Sequence, residues 1–399
     1  MKLTRNSNGN LSGDDRREVR RVVLNAFHIN PDAFNLNVVR NAWAGAPGWA
    51  RWIVYALLIV GGLLLPSQAI GSFMAPSGSD WASMLSGQIA IYVLLAIGLN
   101  VVVGMAGLLD LGYVAFYAVG AYTMAIFATK YGWSFWESLA LAIAFAALSG
   151  VILGAPTLRL RGDYLAIVTL GFGEIVKRTA NNSSFVNGPR GVQDIPHPPT
   201  LSEFEILGVQ PLKYGLLDSR PYYYLLLLFI IVAIIFVKRL EKSRVGRAWA
   251  SIREDEDAAE LMGVPTFKFK LAAFAIGAAI GGSGGVVFAS QQTSINPQNF
   301  EFLVSALILA GVVLGGSGNI PGVMLGAAVL AWLPERFRFL SDYRMLLFGA
   351  ALVLMMVFRP EGLWPSRRRK AELKEGAGGL GADVPGPGAA GPVAVEEGK

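Results

Sequence analysis

The chain has no cysteine among its 399 residues and only two histidines, His28 and His197. Without a thiol there is no disulfide scaffold, no cysteine nucleophile, no Fe–S cluster and no Cys-type zinc site. Two imidazoles leave little for histidine catalysis or a His-rich metal site. Charge is scarce too: Asp, Glu, Lys and Arg make up 16% of the residues, where a soluble domain carries about 25%. No GxxxxGK[ST] phosphate-binding loop occurs anywhere, so the chain has no ATP site of its own. What fills the space is grease and glycine. Hydrophobic residues are 53% of the total, mean hydropathy is +0.48 and there are 47 glycines, a residue commoner where helices pack in lipid. The pattern is that of an all-α, polytopic transmembrane helical bundle with the lipid bilayer as solvent.

Met1 to about residue 50 is polar, carries Arg16, Arg17, Arg20 and Arg21, and lacks the apolar core of a cleaved signal peptide. Residues 51–366 form the membrane domain. Apolar runs lie near 52–72, 84–103, 107–128, 137–157, 162–176, 221–237, 270–290, 302–316, 320–333 and 345–358. They predict about ten spans, with eight or nine as alternatives. Several are shorter than the roughly 20 residues of a straight crossing, as broken or half-crossing helices would be. Residues 367–399, rich in Gly, Pro and Ala, read as a disordered tail.

The net charge of +6 is no sign of nucleic acid once its distribution is read. With ten spans and the N-terminus inside, the cytoplasm receives 8 Lys/Arg in the N-terminal segment, 2 at Arg159 and Arg161, 8 from Lys238 to Lys270 and 7 from Arg359 onward, against 9 outside. That bias predicts N-in/C-in in the inner membrane. The 334–344 loop, with Arg336, Arg338 and Arg344, runs against the trend.

Gly277, Gly281 and Gly285 stand four apart, as do Gly311 with Gly315 and Gly322 with Gly326. Such spacing predicts close helix–helix approach. The run Gly281-Gly282-Ser283-Gly284-Gly285 is no dinucleotide loop, because it lies inside an apolar stretch with no strand before it. Acids inside apolar runs are more informative, since an ionisable group at membrane depth is costly. Glu174 reads as a helix-end acid with Lys177 and Arg178 as partners. Asp110 supports two readings, a pathway group or an acid near the headgroups. Gly104, Gly107 and Gly112 predict irregular backbone around it. Asn100, Tyr113 and Tyr117 either line the same path or serve as ordinary hydrogen-bonders between helices.

The loop from Lys238 to Lys270 predicts a short amphipathic helix over Trp249–Met262, ended by Gly263 and Pro265. Its five acids between Glu254 and Glu260, with Trp249, Leu261 and Met262, suit the docking of another protein.

Five stretches carry a resemblance. They are GLNVVVGMAGLLDLGYVAFYAVGAY (98–122), LRLRGDYLAIVTLGFGEIVKRTANN (158–182), IREDEDAAELMGVPTFKFKLAAFAIGA (252–278), NPQNFEFLVSALILAGVVLGGSGNIPGVMLGA (296–327) and DYRMLLFGAALVLMMVFRPEGLWP (342–365). In this order they resemble the permease subunits of bacterial branched-chain amino acid ABC importers, the LivM-like half of the pair. Asp257-Ala258-Ala259 with Gly263 is similar to the E-A-A-x-x-x-G pattern of importer permeases, Asp257 standing where Glu is usual and the distal part being absent. The resemblance implies that Arg253, Glu254, Asp255, Glu256, Asp257, Ala258, Ala259 and Gly263 meet an ATPase. It implies as partners a LivH-like second permease, two cytoplasmic ATPases that bind the ATP, and a periplasmic or extracellular solute-binding protein. Branched-chain amino acids are the implied solutes, with urea or short amides as the alternative. A secondary transporter, with its coupling site at Asp110, is the alternative from another class.

Overall fold

The computed structural model describes residues 61–67, 80–158, 163–199, 214, 219–336, 349, 350, 353 and 362–364. The polar N-terminal segment, most of the 52–72 run, Arg159, Arg161, most of the 345–358 run and the 367–399 tail lie outside them. Among the described residues every regular element is helical.

From residue 81 to residue 336, ten α-helices follow in order among the described residues. Helix α1 spans Trp81–Met105 and holds two π-helical stretches, Leu85–Ala90 and Asn100–Met105. Next come α2 (Val114–Lys130), α3 (Phe135–Thr157), α4 (Asp163–Asn182) and α5 (Arg220–Glu241). Two short helices, α6 (Arg244–Glu254) and α7 (Glu256–Leu261), make a lobe. The long α8 (Thr266–Gln292) precedes a hairpin of α9 (Phe302–Gly315) and α10 (Ile320–Arg336). Among the described residues, five stretches are long and apolar enough to cross a membrane: Trp81–Met105, Phe135–Thr157, Arg220–Glu241, Thr266–Gln292 and Pro297–Gly315. The helical membrane bundle is thus present.

Contacts separate two ends. At one, residues 183–199 lie on the turn after α8, where Val192 and Ile295 exchange backbone hydrogen bonds at 2.9 Å and Ser290 donates to the Pro196 carbonyl at 2.9 Å. Tyr131, Trp133 and Trp136 stand exposed beside this end, as an aromatic belt at a membrane interface does. At the other end α6 and α7 sit at the foot of α1 and α8, with Trp249 Nε1 donating to the Phe269 carbonyl at 2.7 Å. Loops 183–199 and 242–265 therefore occupy opposite ends.

The core is closed by glycine. Helix α8 is the hub, packed on α1, α2 and α3. A Cβ on Gly120 of α2 would run into the Gly282 backbone, one on Gly285 into the Tyr117 carbonyl, and one on Gly277 to 3.1 Å from the Gly98 carbonyl. In the α9–α10 hairpin Gly315 and Gly322 face each other in the same way. The glycine spacing does what the sequence predicts, with one refinement. The α8 glycines serve three neighbours on different sides rather than one partner on one face.

Candidate functional site

The expected span 107–128 starts as helix only at Val114. Residues 106–113 are not helical, and Gly107 sits at φ +74. At about 1.5 Å per residue, the 17 residues of α2 fall short of the roughly 30 Å hydrocarbon core. The unwound segment directly precedes α2. Side chains from distant elements hold it. Leu111 N–H donates to Thr169 Oγ1 of α4 at 3.0 Å, and Val114 N–H donates to Ser305 Oγ of α9 at 2.8 Å. Tyr113 Oη donates to the Gly277 carbonyl of α8 at 2.8 Å. Gly112 packs so closely on Thr169 that a Cβ there would overlap its carbonyl.

The four pathway candidates all lie inside the bundle. Asp110 is fully buried, and its Oδ1 accepts from the Gly112 N–H at 2.9 Å, closing a local turn. Asn100 is fully buried at the start of the second π-stretch, where its Oδ1 accepts from Gly318 N–H at 2.8 Å. Tyr113 is the strut to α8 just described. Tyr117 packs between Phe288 and Phe300, both with ring centroids at 5.3 Å. Asp110 and Tyr113 thus belong to one feature, the break, while Asn100 ties the π-turn before it to Gly318. The surface the break turns outward consists of Gly107 and Leu109, both exposed.

Glu174 pairs with Arg178 at 3.7 Å across one turn of α4, as expected. Lys177 does not join them. It reaches Glu301 at 3.3 Å, a partner 124 residues away that local spacing could not reveal.

In the lobe, the expected single helix over Trp249–Met262 is two. Asp255 is extended (φ −155, ψ 112) and breaks the run; its side chain accepts from Ala258 N–H at 3.0 Å and so caps α7. The signal was in the sequence, an Asp preceding a helix-forming Glu-Asp-Ala-Ala, masked by four more acids. Gly263 ends α7 as predicted. It sits at φ +85, with Gly263 N–H bonded to the Glu260 carbonyl and Val264 N–H to the Ala259 carbonyl, the Schellman closure that favours glycine. Trp249 is no surface residue: it is fully buried. Leu261 (88% exposed) and Met262 (85%) form the apolar surface, beside exposed Glu254, Asp255, Asp257, Ala258 and Glu260. Ala259 faces the lobe interior, Glu256 pairs with the buried Lys270, and Arg253 turns into the bundle. The eight loop candidates therefore divide into an outward set and an inward set.

A family model described as "Branched-chain amino acid transport system / permease component" matches residues 82–356. The chain belongs to that permease family. LivM of Escherichia coli (strain K12), a high-affinity branched-chain amino acid transport system permease protein, is 45% identical over 300 residues, 72% of this chain and 71% of LivM. BraD of Pseudomonas aeruginosa is 26% identical over 68% of this chain and 91% of its own. LivH of E. coli K12 is 24% identical over 68% and 90%. No solved structure matches the chain. Family and fold together make it a multi-pass membrane permease. The matched region contains both the break and the lobe.

Proposed function

We propose that this permease is the LivM-type subunit of an ATP-driven importer of branched-chain amino acids. The observation that carries the reading is the 45% identity to LivM over 300 residues, beside a family match over 82–356 that holds both break and lobe. LivM and LivH relatives both align here, which supports a LivH-like second permease as partner. Two ATPases bind the ATP, and a solute-binding protein delivers substrate to the 183–199 end. Ten spans with N-in/C-in orientation place the lobe in the cytoplasm, in keeping with the basic residues between Lys238 and Lys270.

The outward set of the lobe docks the ATPase. Leu261 and Met262 supply desolvated apolar contact, while Glu254, Asp255, Asp257 and Glu260 form an acidic rim that selects a basic partner. Closure of the ATPases on ATP moves the lobe and switches the bundle between outward- and inward-facing states. Irregular backbone at membrane depth is tolerated where it meets protein or a water-filled path. The exposed side of the break, Gly107 to Leu109, faces that path. Asp110 and Tyr113 hold its shape from behind, while Asn100 and Tyr117 pack the helices on either side of it.

The test is uptake by proteoliposomes containing both permeases, the ATPases and the binding protein. ATP-dependent accumulation of leucine, isoleucine or valine is expected. Uptake of urea or a short amide alone would replace the solute. Vanadate-insensitive uptake by this chain alone would replace the class.

A further inference from the structure

Arg253 is the last basic residue of α6, and its side chain leaves the lobe. The guanidinium donates to the Gly104 carbonyl, in the last π-turn of α1, where carbonyls run out of partners within the helix. Three residues further on, Gly107 lies flat against it. A Cβ on Gly107 would come 2.8 Å from Arg253 Cγ and 3.1 Å from its Cβ, and φ +74 already disfavours one. Arg253 thus grips the chain where α1 ends and the break begins.

The rest of α6 is fixed to α8. Trp249 bonds the Phe269 carbonyl, and across the Asp255 break Glu256 pairs with Lys270. At the far side of the break the chain is fixed again, by Thr169, Tyr113 to Gly277, and Ser305. Between these two clamps the chain is not helical, and Leu108 N–H reaches back to the Val102 carbonyl of α1 at 3.0 Å. A displacement of α7 that carries α6 with it reaches this non-helical stretch through Arg253.

We propose that Arg253 is the positioning residue that transmits movement of the lobe to the unwound segment 106–113. The guanidinium suits this work because it is planar, permanently charged and able to hold a carbonyl while its stem packs on Gly107. The inference rests on the reading of the lobe as the ATPase dock, and it takes Arg253 out of the docking surface itself.

Arg253→Ala, Arg253→Lys and Gly107→Ala, each in the full reconstituted complex, test it, with Gly263→Glu as the docking control. Three quantities are read: ATPases retained on pull-down, ATP hydrolysed, and leucine taken up per ATP. With Arg253→Ala the ATPases stay bound and hydrolysis continues, while leucine per ATP falls about tenfold, the scale of one lost charge-assisted hydrogen bond. Arg253→Lys, with charge but no fork, lies between that and the parent. Gly107→Ala lowers the ratio with Arg253 intact, so the proposal remains testable if the alanine variant at 253 fails to insert. Loss of the ATPases from Arg253→Ala would make Arg253 a docking residue and overturn the proposal. An unchanged ratio in Arg253→Ala and Gly107→Ala would overturn it too. Retention of the ATPases by Gly263→Glu would instead overturn the docking reading, so the two failures are distinct.

Discussion

Glycine holds together the centre of the bundle and ends the second helix of the lobe, for opposite reasons. Around α8, Gly120, Gly282 and Gly285 let backbones touch, and any side chain there meets main-chain atoms that have nowhere to go. In lipid, where no hydrophobic drive pushes helices together, such contact is what association is made from. At Gly263 the space is empty, nothing lying within 4 Å of a Cβ position, and only φ +85 calls for glycine. The lobe is built like a small soluble domain, with caps, a buried Trp249 and an ion pair from Glu256 to the buried Lys270. Yet it leaves Leu261 and Met262 uncovered. One region spends its small residues on being closed, the other on presenting a surface.

That contrast breaks most visibly at the seam. Gly120→Ala drives a methyl into the Gly282 backbone, and an overpacking cost of about 3 kcal/mol or more is expected. Membrane accumulation should collapse, and any protein recovered in detergent should melt well below the parent. Gly263→Glu inverts the pattern. The melting temperature should fall little, since the strain is on the order of 1–2 kcal/mol, while ATPase retention and uptake are lost. Asp257→Lys should act likewise but more mildly, from the rim of the surface. If Gly263→Glu melted as badly as Gly120→Ala, the lobe would be part of the bundle's stability and not a separate surface.

The break lies between these two regions and sharpens the comparison. Asp110→Asn keeps an acceptor for the Gly112 N–H, so folding and uptake should stay near the parent's. Asp110→Leu leaves that N–H unpaired in a buried place and should cost about 1–3 kcal/mol in thermal stability. A large loss of uptake in Asp110→Asn, with normal melting, would instead put the charge itself in the transport cycle. The smallest effect belongs to the Lys177–Glu301 pair, whose side chains are 25% and 50% exposed. Glu301→Gln should change stability by less than about 1 kcal/mol, as read from the melting curve.

Much of this was legible in the sequence because the signals are local. Apolar runs give the helices, four-residue glycine spacing gives the seam, Gly104, Gly107 and Gly112 mark the break, and Gly263 with Pro265 ends α7. What was not legible depends on residues far apart in the chain. The break is held by Thr169, Gly277 and Ser305, none of which advertises the role. Amphipathicity showed that the lobe has two faces, but not that Trp249 belongs to the inner one. Arg253 stood with seven neighbours expected to meet an ATPase, and its contact with Gly104 and Gly107 separates it from them.

Every statement about docking and transmission requires the lobe to face the ATPases, so its side of the membrane is the measurement that matters most. The chain lacks cysteine, which makes single-cysteine labelling clean. Ser243 is a poor probe because its side chain caps α6, accepting from Val245 N–H at 3.1 Å. Exposed Lys242 beside it serves instead, against exposed Ser184 at the other end. Intact cells with a permeabilised outer membrane, treated with an impermeant thiol reagent, should label Ser184→Cys and leave Lys242→Cys untouched until the inner membrane is opened. Labelling of Lys242→Cys but not Ser184→Cys in intact cells would contradict the account.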